Sequence, residues 1–484
     1  MKLQRIADGM SSSPVEESTE VSVSSKEPSQ PCPISSWGER LLLNPFAIFL
    51  AIFAVLVLRS PDALRFPELA FEDGNQMLAF YFNSPHPSSI FRFYNGYIQL
   101  LPNMIAWLAT RGPITLAPQL FTLGSMTLAA TGMFLVSRPQ LAWLIPSPKD
   151  RAIAALLLVL LPLGKSYVVY NVAYSLWSCL FLLVMLLGGP LPQSKRALAV
   201  YSVAIILGIF SHPLSLVVFP ILLLHLILDK RLPQRVCVGV FMATIIADQL
   251  FAVEHSQSVH ATGSGVHLAI KLFLSRVVFE TISGAMAGTT LIPENAQFVH
   301  YSALAILGIV LSLTLSSRIS WRAKCGVVIG LGLAFGIVLA STLARLATGP
   351  DFPHVFKFYL QRYFYVPKLL IAIFLLAQVI PRLRKFLSSL SIEAQIPFLG
   401  ACAIYLIGLN RSNNRLYANV HEDGVKIAAF LRTVQQHQAF ARADQEYTSQ
   451  WRLPRQETNW DIQLNIDEHL GKRGRLSNAS EGAK

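Results

Sequence analysis

Long apolar runs alternate with polar connections from residue 41 to residue 409 of the 484-residue chain. A helix needs about 20 apolar residues to cross the hydrocarbon core of a bilayer. Several runs are shorter than this, so their ends are approximate. The pattern predicts an all-α, polytopic transmembrane helix bundle of about eleven spans, at 41–58, 114–136, 152–165, 167–188, 198–211, 213–228, 236–253, 299–317, 325–347, 364–380 and 391–409.

Lysine and arginine are distributed unevenly between the two sides of this predicted bundle. The loops assigned to the inside hold 14 of them in 43 residues, whereas the segments assigned to the outside hold 9 in 120. This asymmetry is the positive-inside pattern, which predicts a cytoplasmic N-terminus and an external C-terminus. The large outer loops are then 59–113 and 254–298.

Three stretches in these outer loops are apolar without being spans. The stretch 96–109 has about 14 residues, too few to cross a bilayer, and counting it as a span would move the basic loops to the wrong side. We therefore predict that it lies in the membrane interface, together with the amphipathic stretch 77–82. The Gly-, Ser- and Thr-rich stretch 265–290 predicts a re-entrant or interfacial helix.

The two ends of the chain differ from its apolar middle. Residues 1–40 are rich in Ser, Glu and Pro and predict a disordered cytoplasmic N-terminus. Residues 41–410 form the predicted membrane domain. Residues 411–484 are polar and predict a small soluble tail on the outer face, with a helix over 425–434 and a strand over 458–466.

Composition excludes several classes of protein. Hydrophobic residues make up 53% of the chain and charged residues only 14%, against roughly 25% charged residues in soluble domains. The net charge of +13 follows from the inner loops, so we predict no nucleic-acid partner. The five cysteines have neither paired nor metal-ligand spacing. A glycine loop that would cradle a nucleoside phosphate is missing.

Glu72-Asp73-Gly74 is the strongest candidate for chemistry. The two adjacent carboxylates lie in the polar loop after the first apolar run. A carboxylate there can act as a general base on a hydroxyl or can bind a cation. The structural alternative is a solvated loop, or a cap of a helix over 75–82.

Cations gather at the predicted outer membrane boundary. Lys165 ends one span, Arg362 precedes the span 364–380, and Lys368 lies near the start of that span. Basic groups at headgroup depth suit a lipid phosphate. The alternative is that these long side chains only anchor the helices by snorkelling.

Two further features lie near this boundary. Asn171, Tyr174 and Trp177 follow i, i+3, i+6 spacing and predict one polar and aromatic stripe on a helix, for packing or for stacking against a sugar. His212 precedes a proline at a short outer connection, where it serves either a turn or a site.

Five short motifs follow one another over residues 40–410: Glu72-Asp73-Gly74, Gly96-Tyr97 with Leu101-Pro102, Asn171 with Trp177, Ser211-His212-Pro213, and Arg362-Tyr363 with Pro367. In this order, they resemble the motifs of a bacterial family of polytopic membrane proteins related to GT-C-type glycosyltransferases. The chain departs from the family at Asn103, where related chains often have arginine, and at Tyr174, where many have a second asparagine.

The resemblance implies a glycosyltransferase of the inner (plasma) membrane that works on its outer face. A sugar would pass from a polyprenyl-phosphate donor to a lipid-linked or cell-envelope glycan. Asp73, or Glu72, would be the catalytic base, and Arg362 would hold the donor phosphate.

The resemblance also suggests roles for the other charged residues near the predicted membrane boundary. Glu72 would assist Asp73, and Lys368 and Lys165 would join Arg362 in stabilising the departing phosphate. The remaining candidates for substrate binding are Tyr97, Asn171 and His212.

No cofactor is needed in this scheme, although a pyrophosphate donor would call for a divalent cation at the two carboxylates. Two alternatives stay open. One is a transporter or flippase of a lipid-linked glycan, and the other is a non-catalytic membrane scaffold.

Overall fold

The computed structural model describes residues 43–67, 69, 72–94, 96–161, 167–229, 231–255, 265–284, 296–316, 321–343, 361–414, 420–443, 450–453 and 462–465. It is mostly helical, at 84%. The predicted disordered segment 1–40 and the candidate Lys165 lie outside the described residues.

The α-helices are numbered in chain order. They are α1 Pro45–Arg59, α2 Asp62–Arg65, α3 Phe80–Asn83, α4 Leu100–Ala109, α5 Ala117–Leu135, α6 Pro148–Leu160, α7 Tyr167–Tyr170, α8 Leu176–Leu187, α9 Lys195–Ile209, α10 Phe219–Leu228, α11 Leu232–His255, α12 Gly265–Leu272, α13 Ala296–Ser316, α14 Trp321–Ser341, α15 Arg362–Ser389, α16 Ile392–Asn414 and α17 Val420–Ala443.

Shorter elements complete the described chain. Two π-helical segments, Asp73–Ala79 and Phe273–Phe279, run into or out of α-helices. The 3-10 turns are Pro87–Phe91, Ile114–Leu116, Pro139–Leu141, Ala173–Ser175 and Ser215–Val218. Two antiparallel hairpins pair β1 Phe93–Tyr94 with β2 Tyr97–Ile98 and β3 Gln450–Leu453 with β4 Ile462–Asn465.

Over the residues that the structure describes, helix is present in each of the eleven predicted spans. Within the described residues, four segments are long and apolar enough to cross a membrane: Leu232–Ala252, Ala296–Ser316, Lys324–Ser341 and Arg362–Ser389. The larger number of spans and their orientation stay predictions. Within the predicted span 167–188, the helix is interrupted between α7 and α8.

Helix α8 lies at the centre of the main core. All twelve of its residues are buried, as expected for a helix that is apolar on every side. It packs against α5, α9 and α15. A Cβ atom at Gly132 of α5 would approach the Phe181 ring to 2.7 Å, so glycine permits the close contact between α5 and α8. The amino-terminal end of this central helix carries the candidate site.

A second, smaller core lies under the first predicted outer loop. Its buried apolar side chains come from the π-helix Asp73–Ala79, from α3 and α4, and from one face of the tail helix α17. That face is formed by Ile427, Leu431 and Val434, which are buried at helical spacing. Helix α17 packs against the 3-10 turn Ile114–Leu116 that follows the first loop, and β4, within the predicted strand, packs against the π-helix Asp73–Ala79.

Candidate functional site

Asp73 is buried, with 1% of its surface exposed, and joins the first loop to the central helix. Its Oδ1 accepts a hydrogen bond of 2.8 Å from the Ala173 N–H, and its Oδ2 accepts one of 3.2 Å from the Val172 N–H. These amides lie at a helical start, where N–H groups have no intrahelical partner and a negative charge is favourable. Asp73 thus caps a helix distant in sequence.

Asn171 completes this helix start. Its Oδ1 accepts a hydrogen bond of 2.9 Å from the Tyr174 N–H, and its backbone carbonyl accepts one of 2.9 Å from the Ser125 hydroxyl. The predicted continuous helical stripe through Asn171, Tyr174 and Trp177 is therefore wrong, because Asn171 lies in the interruption. Two side-chain caps, one local and one from Asp73, replace the helical hydrogen bonds there.

Arg362 begins α15 and lies among aromatic rings. Its guanidinium is 4.6 Å from the centre of the Tyr174 ring and 5.0 Å from that of Tyr363. It donates hydrogen bonds to the hydroxyls of both tyrosines, at 3.3 Å for Tyr363. It also interacts electrostatically with Glu72.

Glu72 is half-buried, next to Asp73 in sequence. Its Oε2 is buried and has no hydrogen-bond partner among the described residues. Two adjacent carboxylates are thus used differently, because Asp73 binds main-chain amides while Glu72 has an oxygen without a hydrogen-bond partner among the described residues.

A row of rings leads from Arg362 to His212. Tyr363 meets Trp177 edge to face at 5.4 Å between ring centres, and Trp177 meets His212 in the same way at 4.5 Å. Trp177 is buried, and its ring packs between those of Tyr363 and His212.

His212 is 1% exposed and lies between two predicted spans. Its Nδ1 accepts a hydrogen bond of 2.9 Å from the Leu214 N–H, which places the ring proton on Nε2. Burial lowers the pKa of His212 to about 3, so the imidazole is neutral at neutral pH.

Two of the sequence motifs are hydrogen-bonded to each other here. The Leu100 N–H donates to the Phe210 carbonyl at 3.1 Å, and the Leu101 N–H donates to the Ser211 hydroxyl at 3.0 Å. The start of α4 is therefore fixed against the Ser211-His212 turn.

Tyr97 lies just before this junction, in the hairpin that turns at Gly96 with a φ of 86°. The Tyr97 hydroxyl accepts a hydrogen bond of 3.3 Å from the Gln99 Nε2. The hairpin thus orients Gln99, which is buried beside the junction.

Lys368 has a different environment from the one predicted. Its Nζ is completely buried and donates to Glu280 Oε2 at 2.6 Å and to Gln361 Oε1 at 2.7 Å. Arg276 donates to the other oxygen of Glu280 at 2.5 Å. Lys368 therefore belongs to a buried ion-pair network, which does not support a role in binding the donor phosphate.

Glu280 was not singled out from the sequence. The only local signal was Arg276 four residues earlier, which is ion-pair spacing on a helix. Its contact with Lys368 joins residues 88 apart, and a single sequence does not reveal such a contact.

Asn103, which departs from the family pattern, has a structural task. Its buried amide donates hydrogen bonds to the carbonyls of Ile90 at 3.0 Å and Arg92 at 3.4 Å. It therefore ties α4 to the segment before β1.

The structure brings together Glu72, Asp73, Asn171, His212 and Arg362, where the two cores meet. Tyr97 borders this group through Gln99, and Lys368 belongs to the separate network. Across the described part of the chain, no three His, Cys, Asp or Glu residues form a group that could hold a metal ion. No family model, curated protein or solved structure matches this chain.

Proposed function

We propose that the protein is a membrane glycosyltransferase that moves a sugar from a polyprenyl-phosphate donor to a lipid-linked or cell-envelope glycan on the outer face. One observation carries the proposal. A half-buried carboxylate with an unpartnered oxygen, a half-buried guanidinium that interacts with its charge, and a buried imidazole come from motifs far apart in sequence and lie around the start of the central helix.

Glu72, not Asp73, is the group we assign to proton transfer. In this reaction the acceptor hydroxyl oxygen attacks the anomeric carbon, and the bond from that carbon to the phosphate oxygen breaks. The hydroxyl proton passes to Glu72, and the electron pair leaves with the phosphate. Asp73 acts as a positioning residue, because main-chain amides bind both of its oxygens.

Arg362 is the group that we assign to the phosphate. It lies at the first residue of α15, a helix long and apolar enough to cross a membrane. A cation at the end of such a helix lies at headgroup depth, where the phosphate of a lipid-linked donor would be found. Its guanidinium would stabilise the charge that develops on the leaving group.

A transporter of a lipid-linked glycan is the second candidate. The interruption between α7 and α8 at the site supports it, because interrupted helices line the binding sites of many membrane transporters. In that case Arg362 would bind phosphate and Glu72 would perform no chemistry.

The decisive experiment compares the envelope glycolipids and glycans of cells lacking the gene by mass spectrometry. The cells are complemented with wild type, Glu72→Gln, or the control Asp62→Asn, at matched membrane levels. Asp62 is an exposed carboxylate of the same loop. For a transferase, one glycoform loses a single sugar mass in the deletion, and wild type and Asp62→Asn restore it while Glu72→Gln does not.

Other outcomes decide against transfer. Full restoration by Glu72→Gln would remove the assigned base. An unchanged set of masses, with a lipid-linked glycan retained on the cytoplasmic leaflet, would favour transport.

A further inference from the structure

Three buried polar atoms around the site have no hydrogen-bond partner among the described residues. They are Glu72 Oε2, Gln99 Oε1 and His212 Nε2. A buried polar atom without a partner costs free energy, so each one in a folded protein calls for an explanation. Glu72 is accounted for by the proposed proton transfer. Gln99 and His212 are not.

The free atom of His212 is a donor of known identity. Because Nδ1 accepts from the Leu214 N–H, the proton of the neutral ring is on Nε2. Lowering of the His212 pKa by burial keeps the ring uncharged. His212 therefore offers one neutral N–H and no positive charge.

The free atom of Gln99 is an acceptor. Its amide nitrogen donates to the Tyr97 hydroxyl at 3.3 Å, and its carbonyl oxygen has no partner among the described residues. The residues that follow Gln99 are hydrogen-bonded to Phe210 and Ser211, so Gln99 borders the His212 turn. A donor and an acceptor on neutral groups complement a hydroxyl, which both accepts and donates.

The neutral and charged ends of the site are separated by rings. From Arg362 the contacts run to Tyr363 at 5.0 Å, on to Trp177 at 5.4 Å and on to His212 at 4.5 Å, measured between centres. Along this row of contacts, the rings of Tyr363 and Trp177 thus lie between Arg362 and His212.

We propose that the site is divided, with Gln99 and His212 binding the neutral hydroxyls of a sugar ring while Arg362 binds the phosphate. This assignment rests on the proposed function for the nature of the ligand. It names the transferred group as an uncharged sugar, because an acidic sugar would bring a carboxylate to two groups that carry no charge.

Two substitutions at His212 distinguish the role of its Nε2 donor from that of its Nδ1 acceptor. Asparagine places an oxygen where Nδ1 lies and can still accept the Leu214 N–H, but it lacks the Nε2 donor. Glutamine places an N–H donor near the position of Nε2 but loses the acceptor of the turn. His212→Asn therefore tests the donor with the turn retained, and His212→Gln is its matched control.

The test uses the full chain in lipid nanodiscs and titration by native mass spectrometry. One probe is farnesyl phosphate. The other probes are octyl glycosides of glucose, galactose and mannose, below the concentration at which they form micelles. Wild type is expected to bind farnesyl phosphate and at least one glycoside.

The variants are expected to change the affinities for the two kinds of ligand differently. Loss of one hydrogen bond corresponds to about tenfold in affinity, so His212→Asn and Gln99→Met should each weaken the glycoside about tenfold. His212→Gln should weaken it less than threefold, and all three should change farnesyl phosphate binding less than twofold. Arg362→Gln should weaken farnesyl phosphate at least tenfold and the glycoside less than twofold.

The outcomes separate this inference from the proposed function. If wild type binds farnesyl phosphate but no glycoside, or if His212→Asn leaves the glycoside affinity unchanged, the hydroxyl site is refuted and the phosphate site stands. Equal weakening of both probes by His212→Asn also refutes the division. If wild type binds a glycoside but no farnesyl phosphate, the hydroxyl site stands and the polyprenyl-phosphate donor is refuted.

Discussion

Asp73 provides the sharpest test of how the site is built, because its buried carboxylate is assigned to structure and its neighbour Glu72 to chemistry. The substitution Asp73→Asn keeps one acceptor oxygen and replaces the other by an NH2 group. That NH2 group then faces a main-chain N–H, so at least one of the hydrogen bonds from Val172 and Ala173 is lost. Asp73→Ala removes both bonds.

The magnitude follows from these contacts. A hydrogen bond to a charged acceptor contributes about 1.5–3 kcal/mol. Asp73→Asn should therefore destabilise the start of the 3-10 turn and α8 by about 2–3 kcal/mol, and Asp73→Ala by about 3–6 kcal/mol. Since whole domains are stable by about 5–15 kcal/mol, even the smaller change should be measurable.

Hydrogen–deuterium exchange of the protein in nanodiscs measures this directly. If the amides of 172 and 173 exchange through local opening, a loss of 2 kcal/mol speeds their exchange about 30-fold. Glu72→Gln is the matched control, because its side chain makes no hydrogen bond to these amides; it should leave their exchange unchanged and abolish sugar transfer. Wild-type exchange rates in Asp73→Asn, together with complete loss of transfer, would refute the division of roles and return Asp73 to the role of base.

Three further predictions concern the surroundings of the site. Glu280→Gln should destabilise the folded protein by about 3–5 kcal/mol because it leaves two buried cations without their carboxylate. Adding Lys368→Met should restore part of the lost stability, measured by thermal unfolding, and no restoration would argue against the ion-pair network. As the pH falls from 7 to 5, His212 gains a proton in the unfolded chain but not in the folded chain, where its pKa is about 3. The free energy of unfolding of the wild type should therefore fall by about 2 kcal/mol more than that of His212→Asn over this window. Equal pH dependence of the two proteins would contradict the assigned neutral ring. Leu431→Asp should destabilise the smaller core by about 3 kcal/mol and make the first loop accessible to limited proteolysis. The control Arg432→Asp changes the adjacent, exposed residue and should have neither effect. Equal cleavage of both variants would show that α17 does not support the loop.

Much of the helical architecture could be read from the sequence, because hydrophobic runs report burial in a helix directly. The interruption between α7 and α8 could not. Residues 167–188 form one apolar run, and the cap that stabilises the interruption comes from Asp73, about 100 positions earlier. A long-range hydrogen bond of this kind overrides local helix propensity, and a periodicity argument does not include it.

For the charged residue Lys368, too, the sequence does not reveal which distant residue it contacts. A lysine near the predicted outer end of a span is compatible with a snorkelling anchor, a phosphate ligand or a buried ion pair. The choice depends on whether a carboxylate reaches it. Glu280 does reach it, at 2.6 Å, from a segment whose sequence is only moderately apolar. The identity of the partner is therefore a property of the tertiary structure.

The different tasks of Glu72 and Asp73 follow from helix geometry once the helix is known to include them. Consecutive residues of an α-helix point about 100° apart, and in a π-helix the angle is smaller but still large. Two adjacent carboxylates on such a segment are therefore directed to different neighbours. The sequence predicts both residues in a polar loop, or at the cap of a helix over 75–82, where they could serve one ligand together. The structure extends helical geometry back to Asp73, with Glu72 as the preceding residue, so the segment that fixes the Asp73 carboxylate to the central helix also fixes the position of Glu72, whose charge interacts with Arg362. A substitution that disturbs Asp73 should for this reason also reduce transfer, but through misplacement of Glu72, and exchange at 172 and 173 distinguishes that cause from loss of a base.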